Sequence, residues 1–202
     1  LLKMLDEVFN EMDAVIILDQ MVENNCGVIT DTLRKRLITL GAIHKDKIIF
    51  ADSRSKIHLF ENMAIKCNNY EICSGQCAGR AGVPSMDRVL ECAGMTYRKN
   101  KKPVFVTMGK DGILTVGKQG SFLVPTADVP RPYDICGAGD SVTAAAVSAL
   151  ASGWNEVEAA FFANIVASVT IRKIGVTGTA SYEEVLETHE KYFKELKWQE
   201  LH

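Results

Sequence analysis

Apolar residues run unbroken from Ala14 to Leu18 and give way to Asp19, the pattern of a strand buried on both faces with a polar residue at its carboxyl end. Ile29, Leu33, Leu37 and Leu40 then recur at helical spacing, with Thr30 or Asp31 placed to cap the helix and Gly41 to stop it. Lys47 to Asp52 predicts a second strand, again closing on aspartate, and Met63 to Cys67 a third, weaker one. Buried strands alternating with a helix define right-handed βαβ units and a parallel sheet covered by helices. Residues 72–86 are rich in glycine and serine and carry a proline, so they predict a loop leading into a helix from about Pro84 to Arg98.

The pattern then changes. Pro103 to Met108 predicts a fourth strand, and glycines at both ends of Gly109-Lys-Asp-Gly112 predict a tight turn into Ile113 to Val116. A second turn, Gly117 to Gly120, leads to a short strand from Ser121 to Pro125, so this part is antiparallel and the sheet is mixed. The last third is helical. Ala138 to Ala151 carries small residues on most faces and stops at Gly153; Glu156 to Lys173 presents Phe161, Ile165 and Val169 at four-residue spacing and stops at Gly175. Ser181-x-x-Glu184 is a capping box for a final amphipathic helix carrying Val185, Leu186, His189 and Phe193. No repeat, low-complexity segment or linker divides the chain, which predicts one α/β domain over residues 1–202.

Composition narrows the chemistry. The 202 residues are 47% hydrophobic and 24% charged, and 23 basic against 25 acidic residues leave a net charge of −2. This is a soluble globular balance that argues against nucleic acid held by a basic field. No apolar run approaches the roughly 18 residues of a membrane span, and no signal-peptide pattern is present. Cys26, Cys67, Cys73, Cys77, Cys92 and Cys136 form no C-x-x-C pair, and the histidines stand far from them, so zinc spacing is absent. Reduced thiols in a cytoplasmic protein are the expectation. The chain opens on Leu1-Leu2-Lys3 inside an amphipathic pattern, as expected of a piece of a longer protein.

The most informative stretch is Asp134-Ile-Cys-Gly-Ala-Gly-Asp140, where a loop runs straight into the helix of small residues. Two glycines let the backbone turn sharply and gather amide N–H groups at a helix N-terminus, where the dipole favours an anion. Asp140 falls in the first turn beside them. Such a site stabilises charge on a transferring phosphoryl group while a carboxylate accepts the proton of the attacking hydroxyl. By itself, Gly137-Ala138-Gly139-Asp140 is better explained as a glycine turn with an acid set against the helix dipole.

The wider context decides. The chain resembles the ribokinase-like (PfkB) carbohydrate kinases, whose signature D-x-x-G-A-G-D stands here at Asp134 to Asp140. Within them it is most similar to the heptose-phosphate kinase branch, through Tyr133-Asp134, the helix from Phe162 to Val169 and the stretch Lys173 to Thr179. The resemblance extends from about Ala14 to Leu186. It implies a three-layer α/β/α fold with a mainly parallel central sheet and an antiparallel edge, and ATP-dependent phosphorylation of a hydroxyl on a sugar or sugar phosphate. Asp140 is then the catalytic base, and the amides of Gly137, Ala138 and Gly139 form the anion hole. Asn68-Asn-Tyr-Glu71 resembles the family's N-x-x-E motif, with Asn68 and Glu71 organising Mg²⁺ and phosphate through water. Thr107, Gly109 and Gly112 match the nucleotide-binding strand and turn, and Asn164 lies on the helix that flanks the adenine. Asp134, with backbone around Gly175 and Thr179, matches the position of a monovalent cation such as K⁺. A homodimer is left open, and neither nucleic acid nor membrane is implied.

The chain also departs from the pattern. Asp52-Ser53-Arg54 replaces the Asp-Pro-Lys of the heptose kinases, and Cys67 stands where proline precedes the asparagine. The family's amino-terminal part, with its sugar-binding glycine pair, first strands and β lid, is absent. A non-catalytic nucleotide-binding fragment or pseudokinase is therefore the competing expectation. A dinucleotide-dependent dehydrogenase is excluded, because no Gly-x-Gly-x-x-Gly follows the first strand, and no Walker-type loop occurs.

Overall fold

The computed structural model describes residues 1–74 and 82–201, so Cys77 and the middle of the predicted glycine-rich loop lie outside the described residues. Seven strands follow one another across a mixed sheet in the order β1 to β7, with helices on both sides. The chain divides into two compact units, residues Leu1–Val106 with Val116–Gln119, and residues Thr107–Thr115 with Gly120–His202.

In the first unit, α1 (Leu2–Val8) leads to β1 (Ala14–Asp19), α2 (Asp31–Ile43), β2 (Ile48–Ser53), β3 (Ala64–Asn68), α3 (Asn69–Ser74), α4 (Met86–Asn100) and β4 (Val104–Thr107), whose last residue belongs to the second unit. β1 pairs with β2 in parallel from Ala14↔Ile48 to Asp19↔Ser53, and β2 pairs with β3 in parallel from Phe50↔Ala64 to Asp52↔Lys66. Phe50, Ile65 and Phe105 are fully buried, with Leu33, Leu37 and Leu40 of α2 nearly so, as the apolar spacing requires. β1 departs from the expectation of burial on both faces: Ile17 is buried, but Ile16 and Leu18 are 43% and 44% exposed. β1 is the first strand in sheet order, and among the described residues only one of its faces is covered.

α2 starts as predicted, with Thr30 Oγ1 accepting the Leu33 N–H, but continues past Gly41 to Ile43 because Gly41 sits directly against the Asn62 backbone. Ser85 caps α4 by accepting the Arg88 N–H, which sets its start two residues beyond Pro84. The carboxyl ends of β1 to β3 carry buried charges. Lys66 pairs with Asp52 at 2.8 Å; Arg34 lies 3.9 Å from Asp19 and stacks over the Phe60 ring; the Ser53 hydroxyl donates to Asp19. Ions this deep persist only when paired.

The second unit contains most of β5 (Ile113–Gly117), then β6 (Gly120–Val124), α5 (Ala138–Ala151), α6 (Glu156–Thr170), α7 (Tyr182–Thr188) and β7 (Gln199–Leu201). β7 pairs antiparallel with β6 from Ser121↔Leu201 to Leu123↔Gln199. α5 has the predicted bounds, and α6 packs along it, alanines burying on both: Ala145, Ala146 and Ala149 on one, Ala159, Ala160 and Ala163 on the other. α6 starts in a capping box between Asn155 and Glu158 and ends three residues before Lys173. The predicted final helix is broken in two: after α7 the turn widens to π geometry over His189–Phe193, which brings Phe193 into the core at 5.6 Å from Phe161.

Candidate active site

The motif around Asp134 folds into a tied loop. Its backbone N–H donates to Ile171 O at 2.7 Å, while its carboxylate accepts the N–H groups of Cys136 and Gly175 at 2.9 and 3.2 Å. Gly137 follows with φ of +78°, in the left-handed region, and caps α5; a Cβ there would stand 2.6 Å from Thr177 Cγ2. Only glycine meets both conditions without strain. The Gly137 carbonyl accepts the N–H and the hydroxyl of Ser141.

One expected donor is already engaged. The Ala138 N–H bonds the Ile135 carbonyl at 3.1 Å, because the loop closes a turn just before the helix. The amides of Gly137, Gly139 and Asp140 have no partner among the described residues, so the donors open to an anion are these three. Asp140, the third residue of α5, is exposed and has no hydrogen bond or ion pair among the described residues.

Beside this helix start lies a cavity of about 560 Å³, within the usual range for small-molecule sites. It gathers the predicted Thr107, Gly109, Gly112, Ala138, Gly139 and Asn164, all in the second unit. Ile113, Val129, Ile135, Val142 and Ile171 give it apolar walls suited to a flat ring. Gly112, at φ +95°, is required here: a side chain would run into the Val124 carbonyl and the Pro125 backbone. The turn that carries it is closed by Met108 N–H to Gly112 O at 2.8 Å. Asn164 is only 4% exposed, where an asparagine on an amphipathic helix is usually solvated. Sequence reasoning missed Thr126, Ala127 and Asp128, which line the cavity from the irregular segment after β6 and carry no motif.

Asn68 and Glu71 belong to the first unit and form a reciprocal cap. Asn68 Oδ1 accepts the N–H groups of Tyr70 and Glu71, each at 2.9 Å, and Glu71 Oε2 accepts the Asn68 N–H at 2.7 Å. The N-x-x-E spacing is thus also that of a capping box. Burial pushes the Glu71 carboxyl above its ordinary value, opposed by its bond from the Asn68 N–H and by the Lys66 charge. Among the described residues no group of three or more His, Cys, Asp or Glu is placed to hold a metal ion. Among the described residues Cys26, Cys67, Cys73, Cys92 and Cys136 enter no disulfide, and no helix is long and apolar enough to cross a membrane.

Comparison with known proteins gives the class: the chain belongs to the pfkB family of carbohydrate kinases, whose model matches residues 35–182. Among curated relatives, the bifunctional protein HldE of Nitratiruptor sp. is 30% identical over 190 residues, covering 93% of this chain and 38% of its own length. That of Helicobacter acinonychis is 30% identical over 197 residues, covering 95% and 41%. The chain therefore spans about two fifths of these relatives. Escherichia coli phosphofructokinase-2 in complex with potassium shares the fold, with a TM-score of 0.72 at 19% identity over 94% of this chain and 61% of that one. Thermotoga maritima ribokinase shares it at 0.64 and 21%, over 88% and 57%. The fold is ribokinase-like, as the sequence resemblance implied.

Proposed function

We propose that the chain carries the nucleotide-binding and phosphoryl-transfer part of an ATP-dependent kinase acting on a hydroxyl of a sugar phosphate. The heptose phosphates are the favoured class, on the HldE relatives and the motifs at Tyr133-Asp134 and Lys173 to Thr179. The observation that carries the reading is Asp140: an unpartnered carboxylate in the first turn of α5, next in the chain to free amides beside the cavity. Asp140 accepts the proton of the sugar hydroxyl as its oxygen attacks the γ-phosphorus. The amides of Gly137, Gly139 and Asp140, with the helix dipole, hold the charge that develops on the transferring group. A base so placed contributes about 10²–10⁴-fold to the rate.

A Mg²⁺ ion fits Glu71, through water: one carboxylate oxygen is spent on the Asn68 amide, the other is unspent, and a buried carboxylate is eased by a cation. Bound there, Mg²⁺ would supply a compact positive charge. A monovalent cation would be held by Asp134, whose two oxygens each accept one amide and each keep a lone pair, with the Thr179 carbonyl already bonded to the Lys173 ammonium. The test is Asp140→Asn in the full-length protein. Phosphoryl transfer should fall at least 10²-fold while nucleotide binding stays within a few-fold; undiminished turnover would remove Asp140 from the role.

A further inference from the structure

Two of the constraints on the Asp134–Asp140 motif come from the loop between α6 and α7. The Gly175 N–H donates to the Asp134 carboxylate at 3.2 Å, and Thr177 Cγ2 stands 2.6 Å from where a Cβ on Gly137 would lie. The loop therefore meets the motif on both sides of Cys136, just before the amides that open α5. Yet residues 174–178 form neither helix nor strand, and a Cβ on Gly175 would meet nothing within 4 Å. Contacts beyond its own backbone have to set the shape of such a loop.

Lys173 makes those contacts. Its N–H closes the last turn of α6 on Thr170 O at 3.0 Å, and its stem runs against Gly178, where a Cβ would stand 2.9 Å from Lys173 Cδ. The ammonium donates to Thr179 O, six positions on, at 2.5 Å and pairs with Glu184 of α7 at 2.8 Å. One side chain thus closes the loop from end to end. As an ion pair, Lys173 and Glu184 are 32% and 38% exposed, and such pairs add little net stability. The bond to the Thr179 carbonyl is what fixes the loop, and a charged donor makes it stronger than a neutral one.

We propose that Lys173 is a positioning residue for phosphoryl transfer. It holds the 174–178 loop so that Gly175 and Thr177 keep Asp134 and Gly137 in place, and with them the direction of the amides at the start of α5. This rests on the phosphoryl-transfer reading above and adds to it a residue outside the cavity lining. Every contact in the series belongs to the second unit. Amides aimed at developing charge act chiefly in the transition state, and a misplacement near 1 Å costs up to about 10²-fold in rate. Loss of the ammonium should therefore show in kcat and spare nucleotide affinity.

The experiment compares wild type, Lys173→Met and Glu184→Gln as full-length proteins, with Mg²⁺-ATP and a heptose monophosphate in the assay and the β,γ-imido analogue of ATP in a calorimetric titration. Methionine keeps the stem against Gly178 and removes only the ammonium. Lys173→Met should lose about 10- to 100-fold in kcat, with analogue affinity within about twofold of wild type. Hydrogen exchange at residues 134–139 and 174–179 should quicken together in that variant. Glu184→Gln keeps the carbonyl bond and should hold kcat within about twofold while its melting temperature falls. Should Lys173→Met not fold, Gly178→Ala displaces the same stem and leaves the charge, and the same split is expected. An unchanged kcat in the folded variant overturns the inference, as does an equal loss in Glu184→Gln or a loss matched in analogue affinity. A wild type that transfers no phosphoryl group overturns the kinase reading itself, a result distinct from transfer that is indifferent to Lys173.

Discussion

At the scale of single residues, the site depends on a glycine and an aspartate that do no chemistry. Asp134 ties the Cys136 and Gly175 amides into one loop, and Gly137 turns the chain where any side chain would meet Thr177. Gly137→Ala should cost about 1–2 kcal/mol from the left-handed backbone alone, measurable by urea denaturation. Adding Thr177→Ser removes the methyl in the way and should recover the contact part only; full recovery would mean the backbone is not strained. The motif was legible because glycine spacing and a following helix of small residues are written locally. That Ala138 donates to Ile135 was not, since it depends on how the loop closes. The sequence singled out Asn164 but not its burial: its amide donates to carbonyls about forty positions away, which no local pattern records. The N-x-x-E motif is ambiguous in the other direction, because one spacing serves both a helix cap and a metal-organising carboxylate.

At the scale of elements, ends were read better than surroundings. The capping box at α7 was predicted, and in it Glu184 bonds both the Ser181 N–H and the Lys173 ammonium, which hold its carboxyl below the ordinary 4.5. A depressed carboxyl adds stability at pH values above its ordinary range, and that contribution is lost as pH falls through the folded-state value. Glu184→Gln should therefore lower the melting temperature at pH 7, with the gap to wild type closing as the pH falls below the ordinary carboxylate range. A gap unchanged with pH would assign the effect to the cap geometry and not to charge. β7 escaped notice because three residues, Gln199 to Leu201, are too few to show a period; only pairing with β6 defines them. The π turn after α7 was hidden for a related reason, as apolar spacing over one turn does not separate π from α geometry.

At the scale of the whole molecule, the alternation of buried and exposed strand positions carries information that the run of apolar letters did not. Ile16 and Leu18 have the composition of core and the exposure of surface. Replacing both by threonine should change stability little, within about 0.5 kcal/mol per site, while reducing concentration-dependent light scattering. A loss of several kcal/mol would show that these side chains are buried in solution. A different consequence follows from the alanines between α5 and α6. The first turn of α5 carries the phosphate end of the proposed nucleotide, and Asn164, in the middle of α6, the base end. The two helices pack on each other and both bury several alanines, small side chains that let helices approach closely, so the packing works as a gauge. One larger side chain at Ala146 or Ala163 would re-space the two ends of the site at once, without touching a residue at either.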